Sequence, residues 1–458
     1  MRKLTNSIVI LILTISFLFT GCNQQIPDDN ISEVLPADSL VTSAKESSSK
    51  TSSKTSKNSS KGGSSVKNSS KTQPSDPFVA ALKNERQKIK DSLTSTIMKR
   101  FNPEYALDGT GDLARVSRVM RKAKQGKKIT VGILGDSISG GAGASSSDNG
   151  YGALIRDWWT DVFGEANVKY VNASIGSNTL VNIVHRMDDH LLSANPDIVF
   201  LGYWKIHNPA VENQNALESI IKRMLDKNIA VVCIQLYNSD TTDKDISEMT
   251  KMAKYYKLPL VSFANALNNS HIAWAKISAD ALHPNDYGHT LIAASVNTFL
   301  TNTAEKLSSI STSPAALPTF SLKADGWMYV SATLLDRSDS TKLTVSNIGS
   351  AQNAEWTAKS FSFKGFKLGT KPLVVNLPKI STLHLLCLYQ SGGGKVYVSV
   401  TGKSGLVFCK NVEVPTLAST DSSYSWPSSM LASKINEPVT VSLYSDTSAT
   451  ILGFMVTQ

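Results

Sequence analysis

Between residues 129 and 307 short, wholly apolar runs alternate with longer stretches whose apolar positions recur every three to four residues. The apolar runs at 129–134, 168–172, 198–202, 230–235 and 258–262 predict buried strands, and the periodic stretches at 151–162, 178–192, 215–227, 242–256 and 287–307 predict helices. Strands that lack a polar face and are separated by helices belong in a parallel sheet covered on both sides, with right-handed crossovers. Five such strands suit the order 2-1-3-4-5. Two charged amphipathic stretches, 85–101 and 112–124, predict helices ahead of the first strand.

After residue 307 the texture changes. Residues 308–318 are rich in serine, proline and alanine and read as a linker. Beyond them come short alternating runs at 327–331, 342–345, 360–363, 373–377, 383–389, 395–400, 406–409, 439–444 and 450–456, separated by turn clusters such as Gly392-Gly393-Gly394. That spacing predicts an all-β sandwich over 319–458, with a jelly roll as one arrangement. Trp327, Trp356 and Tyr397 are candidates to stack on sugar rings there, against the commoner use of such residues as core.

The amino terminus carries a different signal. Met1-Arg2-Lys3 leads into an apolar run from Ile8 to Phe19 and then Thr20-Gly21-Cys22, the pattern of a bacterial lipoprotein signal peptide over 1–22 with Cys22 as the lipidated residue. Residues 23–76 have too few apolar side chains to form a core and read as a flexible tether. The tether lysines (Lys45, Lys50, Lys54, Lys57, Lys61, Lys67 and Lys71) supply much of the formal net charge of +10. The charge is therefore no nucleic-acid footprint, which needs a basic patch on a folded element. It suits a solubilising spacer, with anionic cell-wall polymer as a possible contact. The expected location is the extracellular face of a bacterial membrane, with the lipid on Cys22 as anchor. Of the other cysteines, Cys233 lies in a core strand, whereas Cys387 and Cys409 fall in neighbouring candidate strands where a disulfide is open.

Two segments carry candidate chemistry. Ser137 follows the first apolar strand, at the carboxyl edge where open α/β sheets place their sites. Asp280 and His283 lie in a polar loop before the last helix, so one loop supplies both a base and a carboxylate to orient it. A serine hydroxyl needs such a base to become a nucleophile. Asp280, His283, Asp286 and His289 also invite a zinc reading, but Asp286 suits a helix N-cap and His289 a first helical turn, so no metal is assigned and no cofactor is implied.

Over roughly residues 107–305 the chain resembles the SGNH (GDSL-type) hydrolase family. Gly135-Asp136-Ser137-Ile138 matches the block with the nucleophile, and Asn172-Ala173-Ser174-Ile175-Gly176 the block whose glycine N–H helps form the oxyanion hole. The segment from Asp280 to His289 matches the acid and base block. The resemblance implies a flavodoxin-like three-layer fold, Ser137, His283 and Asp280 as catalytic residues, and an oxyanion hole from Ser137 at a helix start, Gly176 and an asparagine. At the third block the pattern fails. Trp204 stands where that asparagine belongs, and Asn208, four residues on, is the candidate replacement. The expected function is a surface-tethered serine esterase removing O-acetyl groups from polysaccharide. The alternatives are an O-acyltransferase using the same serine and a non-catalytic polysaccharide-binding lipoprotein on a degenerate scaffold.

Overall fold

The computed structural model describes residues 76–457, apart from 108, 110, 177, 206–209, 319–327, 332–343, 359–360, 388–393 and 415–427. The signal segment with Cys22, the tether up to residue 75, Asn208 and Trp327 fall outside the described residues, as does the side chain of Trp356.

The chain enters through α1 (Pro77–Ser92), which starts earlier than its amphipathic pattern suggests. Asp76 caps it by accepting from the Phe78 N–H, and Pro77 fills the first turn, where a missing N–H costs nothing. Helix α2 (Ala114–Lys124) leads into β1 (Ile129–Gly135). The series continues with α3 (Tyr151–Phe163), β2 (Val168–Asn172), α4 (Leu180–His190), β3 (Ile198–Tyr203), α5 (Ala210–Asp226), β4 (Ala230–Gln235) and α6 (Asp243–Tyr255). It ends with β5 (Leu260–Ser262), a short α7 (Phe263–Ser270) absent from the sequence-based expectation, and α8 (Asp286–Glu305).

The five strands pair in parallel in the order β2-β1-β3-β4-β5, as the alternation predicts. Successive side chains point to opposite faces. Ile133, Phe200 and Val232 feed one apolar cluster with α1, α3 and α8, while Leu134, Leu201 and Cys233 feed a second with α4 and α5. Cys233 is a free, buried thiol, and burial pushes its pKa up to about 12. The three-layer sandwich follows from strands that are apolar on both faces.

The stretch 308–318 is not a free coil. Arg121 donates to the carbonyls of Leu307 (2.5 Å) and Ile310 (2.6 Å), Ser117 Oγ donates to Ser311 O (2.9 Å), and Asp112 accepts from the Ala315 N–H (2.6 Å).

Beyond it, nine strands form a separate, antiparallel sheet: β6 (Met328–Ser331), β7 (Thr344–Asn347), β8 (Gln352–Ala358), β9 (Phe361–Lys367), β10 (Leu373–Cys387), β11 (Gly394–Gly402), β12 (Gly405–Val414), β13 (Ser428–Tyr444) and β14 (Thr450–Thr457). The main path runs β12-β11-β13-β10-β14-β9-β8, with β7 on β10 and β6 on β14. Register shifts between Leu377 and Lys379 and between Ile380 and Thr382 explain why one strand replaces two predicted ones. Buried apolar positions run 373, 375, 377, then 380, then 383, 385, 387, so each bulge flips the inward apolar face. The described pairing is all-β as expected, but it is one branched sheet, and its strand order does not establish a jelly roll. Cys387 is a free, buried thiol in β10, with β13 and β11 between it and Cys409 in β12, so the two do not form the disulfide that the sequence left open. Tyr397 is half-buried and stacks on its cross-strand partner Tyr444, ring centroids 4.5 Å apart.

Candidate active site

Strand β1 ends at Gly135, in register with Gly202 of β3, so the chain leaves the sheet with Asp136-Ser137 at its carboxyl edge. Ser137 does not begin a helix, in contrast to the expectation. Residues 137–143 form a run of turns, with Gly140 N–H donating to Asp136 O and Ala142 N–H to Ser137 O, both at 2.9 Å. Three glycines within four positions defeat helix propagation, and the next helix waits until Tyr151. No helix dipole therefore acts at Ser137. Asp136 is buried and turns the chain by accepting from Ile138 N–H at 3.0 Å. Burial pushes its carboxyl up to about 7 against the opposing pull of that hydrogen bond and of others from the backbone.

The acid and base loop is a tight hairpin. Ser278 bridges Pro284, and Ala279 N–H donates to His283 O at 2.8 Å. Asp280 Oδ1 accepts from the N–H groups of Leu282 (2.7 Å) and His283 (2.6 Å), while Oδ2 lies 2.8 Å from His283 Nδ1. Burial raises the Asp280 pKa, but the His283 ring and these N–H groups outweigh it and hold the carboxyl below its ordinary range. His283 Nε2 lies 3.1 Å from Ser137 Oγ. With Asp280 accepting from Nδ1–H, Nε2 is the free acceptor for the serine proton. The structure thus brings together Ser137, His283 and Asp280, residues separated by up to 146 positions in the chain.

Gly176 also meets the serine. A Cβ built on Gly176 would lie 3.5 Å from Ser137 Cβ. Among the described residues neither the Ser137 nor the Gly176 N–H has an intramolecular acceptor, so both are open to a ligand oxygen. By strand register Trp204 follows β3 as Ser137 follows β1, which places it at the same edge. Its half-buried ring packs on the first apolar cluster and the Lys205 ammonium sits 5.3 Å from its centroid.

Several supporting contacts escape sequence reasoning. Asn285, not Asp286, caps α8 by accepting from Gly288 N–H. Asp286 instead holds the loop after the nucleophile, accepting from Ser145 N–H (2.7 Å), Ser145 Oγ–H (2.6 Å) and Asn149 Nδ2–H (3.2 Å). His289 is fully buried. Its Nε2–H donates to Ala142 O (3.0 Å), which leaves Nδ1 to accept from Tyr151 N–H (3.3 Å), and burial lowers its pKa. The four potential zinc ligands thus serve separate local tasks, and among the described residues no group of three or more metal-ligating side chains converges. Arg186, also buried, escapes sequence reasoning too, although a charge at helical spacing from Ile183 on an apolar stripe is a signal that could have found it.

The arrangement sets a serine hydroxyl beside an imidazole that a carboxylate orients, with two backbone N–H groups close by, a geometry compatible with nucleophilic acyl chemistry. Residues 133–291 match the GDSL-like lipase/acylhydrolase family. A two-domain esterase active on acetylated mannans, crystallised with mannopentaose, matches 78% of this chain and 98% of its own at 19% identity and a TM-score of 0.63. An acetyl xylan esterase matches 37% of this chain and 98% of its own at 22% identity and a TM-score of 0.32. No curated protein sequence matches.

Proposed function

From a domain that belongs to the GDSL-like, or SGNH, lipase and acylhydrolase family, we propose a serine esterase that removes short O-acyl groups from polysaccharide. The observation that carries the reading is the continuous relay from Ser137 Oγ through His283 to Asp280, at 3.1 and 2.8 Å, beside two unoccupied N–H donors. Ser137 Oγ attacks the acyl carbon while His283 Nε2 takes its proton. Asp280 keeps the imidazole in the required tautomer and stabilises its cationic form. Negative charge then grows on the former carbonyl oxygen, where the N–H groups of Ser137 and Gly176 can receive it. As the ester C–O bond breaks, His283 gives the proton to the departing sugar oxygen, and water repeats the sequence on the acyl-serine to release the acid and regenerate Ser137.

Carbohydrate is the favoured leaving group. Half-buried aromatic side chains border the acid and base loop: Trp274 donates its indole N–H to Ala281 O at 3.0 Å, and Tyr237 packs edge-on against Trp274 at 5.9 Å. Such rings give a sugar an apolar surface to lie on. The two-domain neighbour acts on acetylated mannans, which supports the same class of substrate here. The tether and Cys22 lipid would hold the enzyme on the outer face of the cell membrane, and lipid mass on Cys22 in the mature chain tests that part directly.

The full chain is expected to hydrolyse p-nitrophenyl acetate, and Ser137→Ala to abolish it, a loss of at least about 10⁴-fold. Equal rates for the two chains would end the esterase reading. Trp204 at the asparagine position favours one second reading, a glycan-binding protein without turnover. It predicts that both chains bind acetylated oligosaccharide equally and release no acetate.

A further inference from the structure

Directly behind the loop that carries Gly176 lies a buried cation. Arg186 of α4 is 1% exposed, and among the described residues no carboxylate lies within ion-pairing distance of it. Its three hydrogen bonds all go to neutral oxygens. Nη1–H donates to Ala173 O, Nε–H to Asn178 Oδ1 (2.5 Å) and Nη2–H to Gly135 O (3.4 Å). Burial alone lowers its pKa to about 9, which leaves it protonated at neutral pH.

The choice of acceptors is informative. Ala173 and Asn178 flank Gly176 on either side, three residues before and two after. Gly135 stands two residues ahead of Ser137 and also accepts from Ile175 N–H at 3.3 Å. One planar fork therefore fixes the two ends of the Gly176 segment against the end of β1. Ser137 N–H and Gly176 N–H belong to separate segments, and the fork joins the Ile175 N–H bond to Gly135 O in tying those segments together. A positive charge with no counter-ion is expensive to bury, and a leucine or methionine at this position of the apolar stripe would pack without that penalty.

We propose that Arg186 is a positioning residue for the oxyanion hole, clamping the Ser137 and Gly176 donors at a fixed spacing and adding a preorganised positive charge behind them. The role rests on the esterase reading. It also accounts for how the site works with Trp204 where a third donor would stand. As Ser137 attacks, charge moves onto the acyl oxygen, and a buried cation that needs no reorganisation favours that state over the neutral ester. The effect should fall on the transition state and spare substrate binding.

The test compares the full-length wild type with Arg186→Gln, Arg186→Lys, Asn178→Asp and Asn178→Ala, reading kcat and KM on p-nitrophenyl acetate, inhibition by phenylboronic acid and the melting temperature. The boronate forms a tetrahedral anion on Ser137 and so reports the oxyanion hole without turnover. For Arg186→Gln the expectation is a kcat about 100-fold lower with KM within about threefold, and boronate binding weakened in parallel. Arg186→Lys should recover part of the loss, because it keeps the charge and not the fork. A folded Arg186→Gln with wild-type kcat and boronate affinity overturns the proposal. Where Arg186→Gln does not fold, Asn178→Asp decides, read against Asn178→Ala as its baseline: both remove the Nδ2–H bond to Gly176 O (3.4 Å), and only the first sets a carboxylate against the guanidinium. A kcat at least about tenfold below that baseline at constant KM supports the proposal, and a kcat equal to it refutes it. A wild type silent toward the ester refutes the esterase reading, whereas an active wild type with unaffected variants refutes the role of Arg186 alone.

Discussion

Gly143 is where the loop after the nucleophile touches the loop that carries the base. A Cβ at this position would lie 2.2 Å from Pro284 O and 2.9 Å from His283 Cβ, and the backbone φ is +88°. Neither neighbour is the end of a flexible chain. Restoring an ordinary contact requires the His283–Pro284 backbone to retreat by about 1 Å, and displacement of a catalytic group on that scale costs about 100-fold in rate. The positive φ adds about 1–3 kcal/mol of strain to any L-residue. Gly143→Ala should therefore lower kcat by about 100-fold, equivalent to about 2.7 kcal/mol, and lower the melting temperature by several degrees. Gly164→Ala, at the end of α3, is the control. Its φ is +89°, yet its Cβ would meet only Asn167 Nδ2, at 3.5 Å, an ordinary contact. It should share the loss of melting temperature that comes from backbone strain and keep the wild-type rate. The assay is p-nitrophenyl acetate hydrolysis on both variants alongside thermal melts. A Gly143→Ala protein as fast and as stable as the wild type would refute the argument that the two loops are packed into one unit.

The remaining expectations concern buried and loop-holding carboxyls. The folded chain keeps a proton on Asp136 up to about pH 7, whereas the unfolded chain releases it near 3.8, so this group's contribution is complete below about pH 4 and is lost as pH rises through 7. Relative to wild type, Asp136→Asn should gain stability over that window with a slope approaching about 1.4 kcal/mol per pH unit, read from urea midpoints at pH 4.5, 6 and 7.5, and a constant difference would exclude it. Asp286→Ala removes the acceptor for Ser145 and Asn149 and should cost about 1–2 kcal/mol of stability with a severalfold loss of kcat/KM. A wild-type melt for that variant would show that the loop is held by other contacts.

The hydrolase core was legible because its strands are apolar on both faces and leave only one architecture. Strand β5 and most helices differ from expectation by a few residues, with Thr179 and Thr242 closing capping boxes, whereas α1, started by Asp76, begins eight residues earlier than its pattern suggests. The β-region was less legible, since strands β10 and β13 pass through bulges that change the inward parity, and alternation alone reads such strands as broken. In the site, the types and order of Ser137, Asp280 and His283 suggested the chemistry, but motif matching placed a helix behind Ser137 that Gly140, Gly141 and Gly143 forbid. Asp286 looked like a cap because a carboxylate before a helix usually is one, and only the fold reveals Ser145 beside it. Arg186 carried a local signal, a charge at the spacing of Ile183 and Met187, but two of its three acceptors are backbone carbonyls, which no side-chain pattern encodes.

The strap from Leu307 to Ala315 bears on where the foldable unit of this protein ends. Its composition suggests that a cut after α8 would release a complete hydrolase. Yet Arg121, Ser117 and Asp112 spend hydrogen bonds on the carbonyls and N–H of that strap, and the first two lie on the helix that feeds β1. A shortened chain would leave a guanidinium and a carboxylate on α2 and its approach facing empty space, one strand away from the nucleophile's own element. The natural seam between the two sheets therefore lies beyond Ala315, and lengthening the strap would unseat contacts before it added any reach.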